Sequence, residues 1–203
     1  MKKYCIKEEY IHRDEYCHYD DTCETDSYQD DVYRCARDIY DKSDSKSVLD
    51  IGCGSGFKLI KYFNDSNSLG LEIDPTLTWL NNKYPKHNWE KSDFNKSLSQ
   101  SYDIVIVSDV IEHLVDPDEL VKFLKTIDFK YAVISTPERD AIQQYQRGYT
   151  WNGPPNNPAH LREWTHTEFR KYMLENFDVV GHYMSKNKCE SVPLCQIVIV
   201  MNK

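Results

Sequence analysis

The segment Val48-Leu49-Asp50-Ile51-Gly52-Cys53-Gly54-Ser55-Gly56-Phe57 limits what this chain can fold into more than any other stretch. A short apolar run reads as a buried strand, three glycines follow at alternate positions, and 57–63 then reads as a helix. Such glycines let the backbone turn sharply and approach a ligand closely, while the helix start offers N–H groups that have no partner of their own. This is the pattern of a nucleotide-type binding loop, and Asp50, Gly52, Cys53, Gly54 and Gly56 are its candidate binding residues.

The alternation of strand and helix continues on both sides of the loop. Periodicity predicts a helix over 28–40, strands over 48–51, 68–73, 88–91, 102–108 and 131–135, and helices over 75–84 and 117–126. Repeated alternation implies an α/β, three-layer αβα sandwich around a mostly parallel sheet covered on both faces. The tail breaks the pattern. Thr165 with Glu168 three residues later is a capping box that opens a helix over 165–176, and two strands, 177–184 and 195–201, follow with no helix between them. That arrangement predicts an antiparallel C-terminal hairpin and seven strands in all. The chain reads as one domain: an N-terminal extension and helix (1–46), a binding core (47–136), a lid or substrate loop (137–164) and a C-terminal helix with strands (165–203).

Two further strand ends carry chemistry. The second strand runs into Glu72-Ile73-Asp74-Pro75, which places an acid twenty residues after Gly52, where a doubly wound sheet presents a carboxylate to both ribose hydroxyls. The third runs into Ser92-Asp93-Phe94, a carboxylate and an aromatic ring suited to the amino group and face of adenine. Three consecutive strand ends thus converge on one adenosine.

Over 47–136 this series resembles the class I S-adenosylmethionine (SAM)-dependent methyltransferase family, with its Rossmann-like fold. The glycine loop is similar to the family's first motif, Glu72 to its ribose acid, Asp93 and Phe94 to its adenine site, and Ser108-Asp109-Val110-Ile111-Glu112-His113 to its fourth-strand motif. The resemblance implies SAM as cofactor, held by the loop residues with Glu72, Ile73, Asp93, Phe94, Ser108 and Asp109, and an acceptor above the fourth strand. A dinucleotide-dependent dehydrogenase is disfavoured, because its fingerprint needs glycine where Phe57 stands.

The methyl of SAM sits on a sulfonium and is already activated, so the protein must align the acceptor and, for a hydroxyl, remove a proton. Candidates are Asp109 and His113 after the fourth strand and His160 in the long loop, with Glu112 beside them. A helical turn at 109–113 would bring Asp109, Glu112 and His113 together. Asp109-x-x-Glu112-His113 with a later His160, and the segment His160-Leu-Arg-Glu-Trp164-Thr165, are similar to the metal-binding set of small-RNA terminal 2′-O-methyltransferases, with Asp109 in place of a glutamate. The Glu-His pair also resembles that of small-molecule O-methyltransferases, and the loop from Ser135 to Trp164 is like that of bacterial and viral methyltransferases associated with saccharide-modifying enzymes. The leading expectation is O-methylation of a small polar molecule or saccharide by a histidine base with no resident metal. The alternatives are a metal-assisted RNA-terminal 2′-O-methyltransferase and a non-catalytic SAM-binding module, the last opposed by the intact glycine loop and acids.

Arg139, Arg147 and Arg162 are expected to meet an anionic acceptor, and Tyr145, Tyr149, Trp151 and Trp164 to stack on a sugar ring. A formal net charge of −8 argues against nucleic acid as partner. No apolar run is of membrane-spanning length and the first residues lack a secretory pattern, so a cytoplasmic protein without membrane contact is expected, its oligomeric state open. Seven cysteines without a C-x-x-C pair read as reduced thiols, and the spacing of Cys5, His12, Cys17, His18 and Cys23 fits no familiar zinc pattern.

Overall fold

In a computed structural model the chain is described at residues 3–15, 17, 19, 21–25, 27–145, 151–186 and 194–203. The expectations for Arg147 and Tyr149 lie outside these residues, as does that for His18.

One seven-stranded sheet organises the fold. Its strands are β1 (Ser47–Ile51), β2 (Asn67–Glu72), β3 (Asn88–Lys91), β4 (Tyr102–Ser108), β5 (Phe129–Pro137), β6 (Asp178–Met184) and β7 (Cys195–Met201), in the order β3-β2-β1-β4-β5-β7-β6. All neighbours from β3 to β5 are parallel, and β7 is antiparallel to both β5 and β6. The order reverses direction between β1 and β4. At such a switch point the connections leave to opposite sides and open a crevice beyond the carboxyl ends of the strands.

Alternate side chains along the central strands feed two cores. On one face Val48, Ile104, Ile106, Val133 and Ile197 pack with α1 (Asp30–Lys42), α2 (Phe57–Phe63) and α3 (Thr76–Lys83) through Val32, Ala36, Leu59, Phe63 and Leu80. On the other, Leu49, Ile51, Val105, Val107 and Ile134 meet α4 (Pro117–Thr126) and α6 (His166–Asn176) through Leu120, Phe123, Phe169 and Met173. The sheet is therefore buried on both sides, as its continuous apolar strands require.

Local signals fix the helix starts. Asp116 accepts the Asp118 N–H ahead of Pro117 at α4, and at α6 Thr165 and Glu168 exchange both bonds of the capping box. Two elements lay hidden in the sequence: a 3-10 turn at Ile111–His113, and α5 (Arg139–Tyr145), inside the stretch read as loop. No helix among the described residues is long and apolar enough to cross a membrane.

Candidate active site

A cavity of about 740 Å³ opens at the carboxyl ends of β1, β2, β3 and β4. Its floor is the glycine loop. Gly52, Gly54 and Gly56 all take positive φ angles, which side chains other than glycine rarely tolerate. At Gly56 an added Cβ would lie 2.5 Å from the Trp89 ring and 2.9 Å from Leu80, so this glycine lets α2 start against the core. Gly54 instead faces the cavity. Glu72 reaches across from β2, its Oε2 accepting the Gly54 N–H at 2.8 Å and its Oε1 accepting its neighbour Ile73 N–H at 2.8 Å. Ile73, Asp93, Phe94, Cys53, Ser108 and Asp109 also line the space, with Phe94 braced by stacking on Phe123 at 5.2 Å.

Asp50 and Gly56 do not line it. Asp50 is fully buried beneath the loop, its Oδ2 accepting the Tyr33 hydroxyl at 2.8 Å, and burial pushes its carboxyl up to about 7. These two residues shape the loop from below.

The reactive end of the cavity is built where β4 leaves the sheet. Asp109 adopts φ 53, a left-handed conformation few residues besides glycine accept; its Oδ1 accepts the Ser135 hydroxyl at 2.6 Å. This bend takes Asp109 out of the turn that follows. Glu112, His113 and His160 come together instead, with one potential ligand atom of each within 4.8 Å of the others. Glu112 is 0 % exposed; its Oε2 accepts the Thr136 hydroxyl at 3.0 Å while Oε1 has no hydrogen bond. Burial, with Asp109 nearby, holds the Glu112 carboxyl well above its usual range. Both imidazoles are oriented through Nδ1, His113 against the Ala159 carbonyl at 2.9 Å and His160 against the Glu163 carboxylate at 2.7 Å. Each ε nitrogen is thereby left as the lone-pair atom, and that of His160 accepts the Asn157 amide at 2.9 Å. Burial and His160 lower His113 to about 4, so it is neutral at pH 7.

A carboxylate oxygen with no hydrogen bond among the described residues, beside two imidazoles whose far nitrogens are held by a carboxylate and a carbonyl, is a donor set that fits a divalent cation once the Asn157 amide yields the His160 ε nitrogen. The expectation of a metal-free site thus meets an arrangement competent to hold one.

The expected acceptor-binding residues are placed elsewhere. Arg139 is buried, with bonds to the Glu163 carbonyl at 3.1 Å and to Glu168 at 2.8 Å. Arg162 is buried against the Leu114 and Val115 carbonyls, and Trp164 is fully buried with its indole N–H donating to the Tyr4 carbonyl at 2.9 Å. None of the three lines the cavity; each braces the loop that carries His160. Trp151 and Tyr145 are exposed but likewise stand outside it.

The bracing partner is the N-terminal segment. Ile11 and Arg13 donate main-chain bonds to Asn152 and Leu161, Tyr10 accepts the Glu163 N–H, and the guanidiniums of Arg162 and Arg139 lie over the rings of Tyr4 and Tyr10. Farther on, Tyr19 stacks on His113 at 5.8 Å and Asp21 approaches Gly54, so the segment also roofs the cavity. The sequence offered only its aromatic content as a hint. Lys58, Asn157 and Glu163 were missed as lining residues; of these only Glu163 carried a signal, its spacing of three from His160.

A seven-stranded sheet with this order, a glycine loop at its switch point and acids at the next two strand ends defines a SAM-binding, Rossmann-like domain. A family model described as a methyltransferase domain matches residues 24–180, and the chain belongs to the class I SAM-dependent methyltransferase family. It is an enzyme that uses SAM. Among solved structures, the chain is similar to the methyltransferase domain of a bacterial CtHen1, at 20% identity and TM-score 0.64 over 86% of this chain and 99% of that one. It is similar to the small RNA methyltransferase HEN1 at 20% identity and TM-score 0.65, over 94% of this chain and 27% of that one. Magnesium protoporphyrin IX methyltransferase from Synechocystis PCC 6803, solved with bound S-adenosylhomocysteine, follows at 15% identity and TM-score 0.62 over 86% of this chain and 83% of that one. These likenesses show the fold. No curated protein sequence matches the chain.

Proposed function

We propose that the protein methylates a hydroxyl oxygen of a sugar-like acceptor bearing neighbouring hydroxyls, with a divalent cation held by Glu112, His113 and His160. The observation that carries this reading is the convergence of those three side chains within 4.8 Å around a buried, unpaired carboxylate oxygen. When bound, such a cation supplies Lewis acidity that makes a hydroxyl a better nucleophile at neutral pH. The chain's own residues do the rest. Glu163 and the Ala159 carbonyl hold the imidazoles in one tautomer and orientation. The glycine loop, Glu72, Asp93 and Phe94 hold the nucleoside so that the methyl is presented along the line of attack. Bound there, SAM would supply an activated methyl to the acceptor oxygen and leave as S-adenosylhomocysteine, and Asp109 would take the hydroxyl proton. Asp109 suits that task by lying at the end of β4 on the cavity wall.

The walls favour an uncharged acceptor. Asp21, Asp93, Glu119 and Glu163 line the cavity, and Arg139 and Arg162, two of the arginines expected to meet an anion, are buried in bracing roles. A saccharide fits this lining and the net charge of −8 better than a polyphosphate chain. The RNA-terminal alternative draws support from the likeness to the two small-RNA methyltransferase structures, and a terminal ribose offers the same paired hydroxyls.

Methyl transfer from labelled SAM separates the readings when assayed with neutral glycosides, nucleotide sugars and short single-stranded RNAs. Turnover of a glycoside that requires Mg²⁺ or Mn²⁺ and is lost in Glu112→Gln is the expected result. Turnover confined to RNA with an intact terminal ribose would move the acceptor to the alternative, and full activity in chelator would remove the metal.

A further inference from the structure

Lys58 is the one lysine or arginine among the described lining residues of the cavity. It stands in the first turn of α2, two residues beyond Gly56, and is only 7% exposed. Nearly buried ammonium groups are normally paired, because taking a charge out of water costs several kcal/mol unless an opposite charge or hydrogen bonds replace the solvent. Among the described residues Lys58 has no hydrogen bond and no ion pair. The acid it influences, Asp50, is turned to the Tyr33 hydroxyl instead. With Asp50 nearby but no hydrogen bond among the described residues, the Lys58 ammonium lines the space where the cofactor binds, on the glycine-loop side.

The chemistry of the cofactor identifies what that cation meets. The nucleoside of SAM is neutral, its sulfonium and α-ammonium are positive, and its one anionic group is the α-carboxylate. We propose that Lys58 binds the α-carboxylate of the cofactor's methionine moiety. The assignment also fixes the direction of the ligand in the cavity. With the carboxylate at Lys58, ribose at Glu72 and adenine at Asp93 and Phe94, the cofactor would span the cavity from the glycine loop along the strand ends. The ammonium of Lys58 thus discriminates between cofactor ends that the acidic lining alone does not distinguish.

The test is calorimetric and independent of turnover. Wild type, K58M and K58R are titrated with S-adenosylhomocysteine and with its decarboxylated counterpart, which lacks only the anionic group. The wild type binds S-adenosylhomocysteine about tenfold or more tighter than the decarboxylated ligand, K58M weakens S-adenosylhomocysteine by about tenfold, equivalent to about 1.4 kcal/mol, and K58R restores most of it. K58M leaves the decarboxylated ligand within about twofold of wild type. Equal loss of both ligands in K58M marks a structural role and overturns the proposal. So does unchanged affinity for S-adenosylhomocysteine, and so does a wild type that fails to prefer the carboxylated ligand, a comparison that stands even if K58M does not fold.

Discussion

Glu163 illustrates how a side chain can matter without facing the reaction. It is 1% exposed and its carboxylate holds His160 Nδ1 at 2.7 Å, the kind of partner that fixes the orientation of a ligating imidazole. Glu163→Gln keeps the size but removes the charge, and Mn²⁺ affinity measured by calorimetry falls by about 10–100-fold. S-adenosylhomocysteine affinity stays near wild type; a parallel loss of both would make Glu163 a general structural residue. At this scale the candidate cofactor residues were legible because their positions follow from strand ends: Glu72 closes β2 and Asp93 stands two residues beyond β3. It misplaced Arg139, Arg162 and Trp164 because residue type alone does not separate a polar group facing a ligand from one satisfied inside a brace. Their partners, Tyr4, Tyr10 and Glu168, come from distant parts of the chain.

Among the elements, α6 joins the core to both the N-terminal segment and the loop bearing His160. Thr165→Ala removes one half of its capping box and costs about 1 kcal/mol of stability in urea denaturation. Glu168→Ala costs more, about 3–5 kcal/mol, because Glu168 also accepts the Lys7 N–H at 2.9 Å and its loss leaves the buried Arg139 guanidinium unpaired. Equal effects of the two substitutions would deny Glu168 this second role. The helix itself was legible from its capping box, as were the parallel strands from their apolar runs. The 3-10 turn and α5 were not: three residues are too few for periodicity to register, and α5 is a short run inside a stretch whose glycines and prolines read as loop. The left-handed Asp109 also defeated the helical spacing that would have grouped it with Glu112 and His113.

α6 meets the edge strand β6 through His166, which stacks on His182 at 3.7 Å. Burial, with His166 and Arg170 nearby, lowers His182 from 6.5 to about 4, while Gln196 holds its Nε2 at 3.0 Å. The unfolded chain therefore takes up this proton before the folded one does. Stability conferred by the neutral ring is complete above about pH 6.5 and is lost as pH falls towards about 4. Denaturation midpoints across that window decline less steeply in His182→Gln than in wild type, and identical slopes would show that the titration lies elsewhere.

The molecule as a whole divides its work between a sheet legible from the alternation of strands and helices and a reactive end assembled by long-range contacts. β1, β2 and β3 deliver the candidate cofactor residues to the cavity, whereas the loop bearing His160 is held near Glu112 by the N-terminal segment and α6. Against an acidic cavity and a net charge of −8, Lys58, the one lysine or arginine among the described lining residues, and the three-residue donor set stand out. The central claim is that this donor set makes the reaction metal-assisted. Methyl transfer by the purified wild-type protein, measured with labelled SAM and a turned-over acceptor before and after chelation, tests it most directly. Activity lost in chelator and restored by Mn²⁺, but not restored in Glu112→Gln, is the predicted result; undiminished transfer in chelator would contradict it.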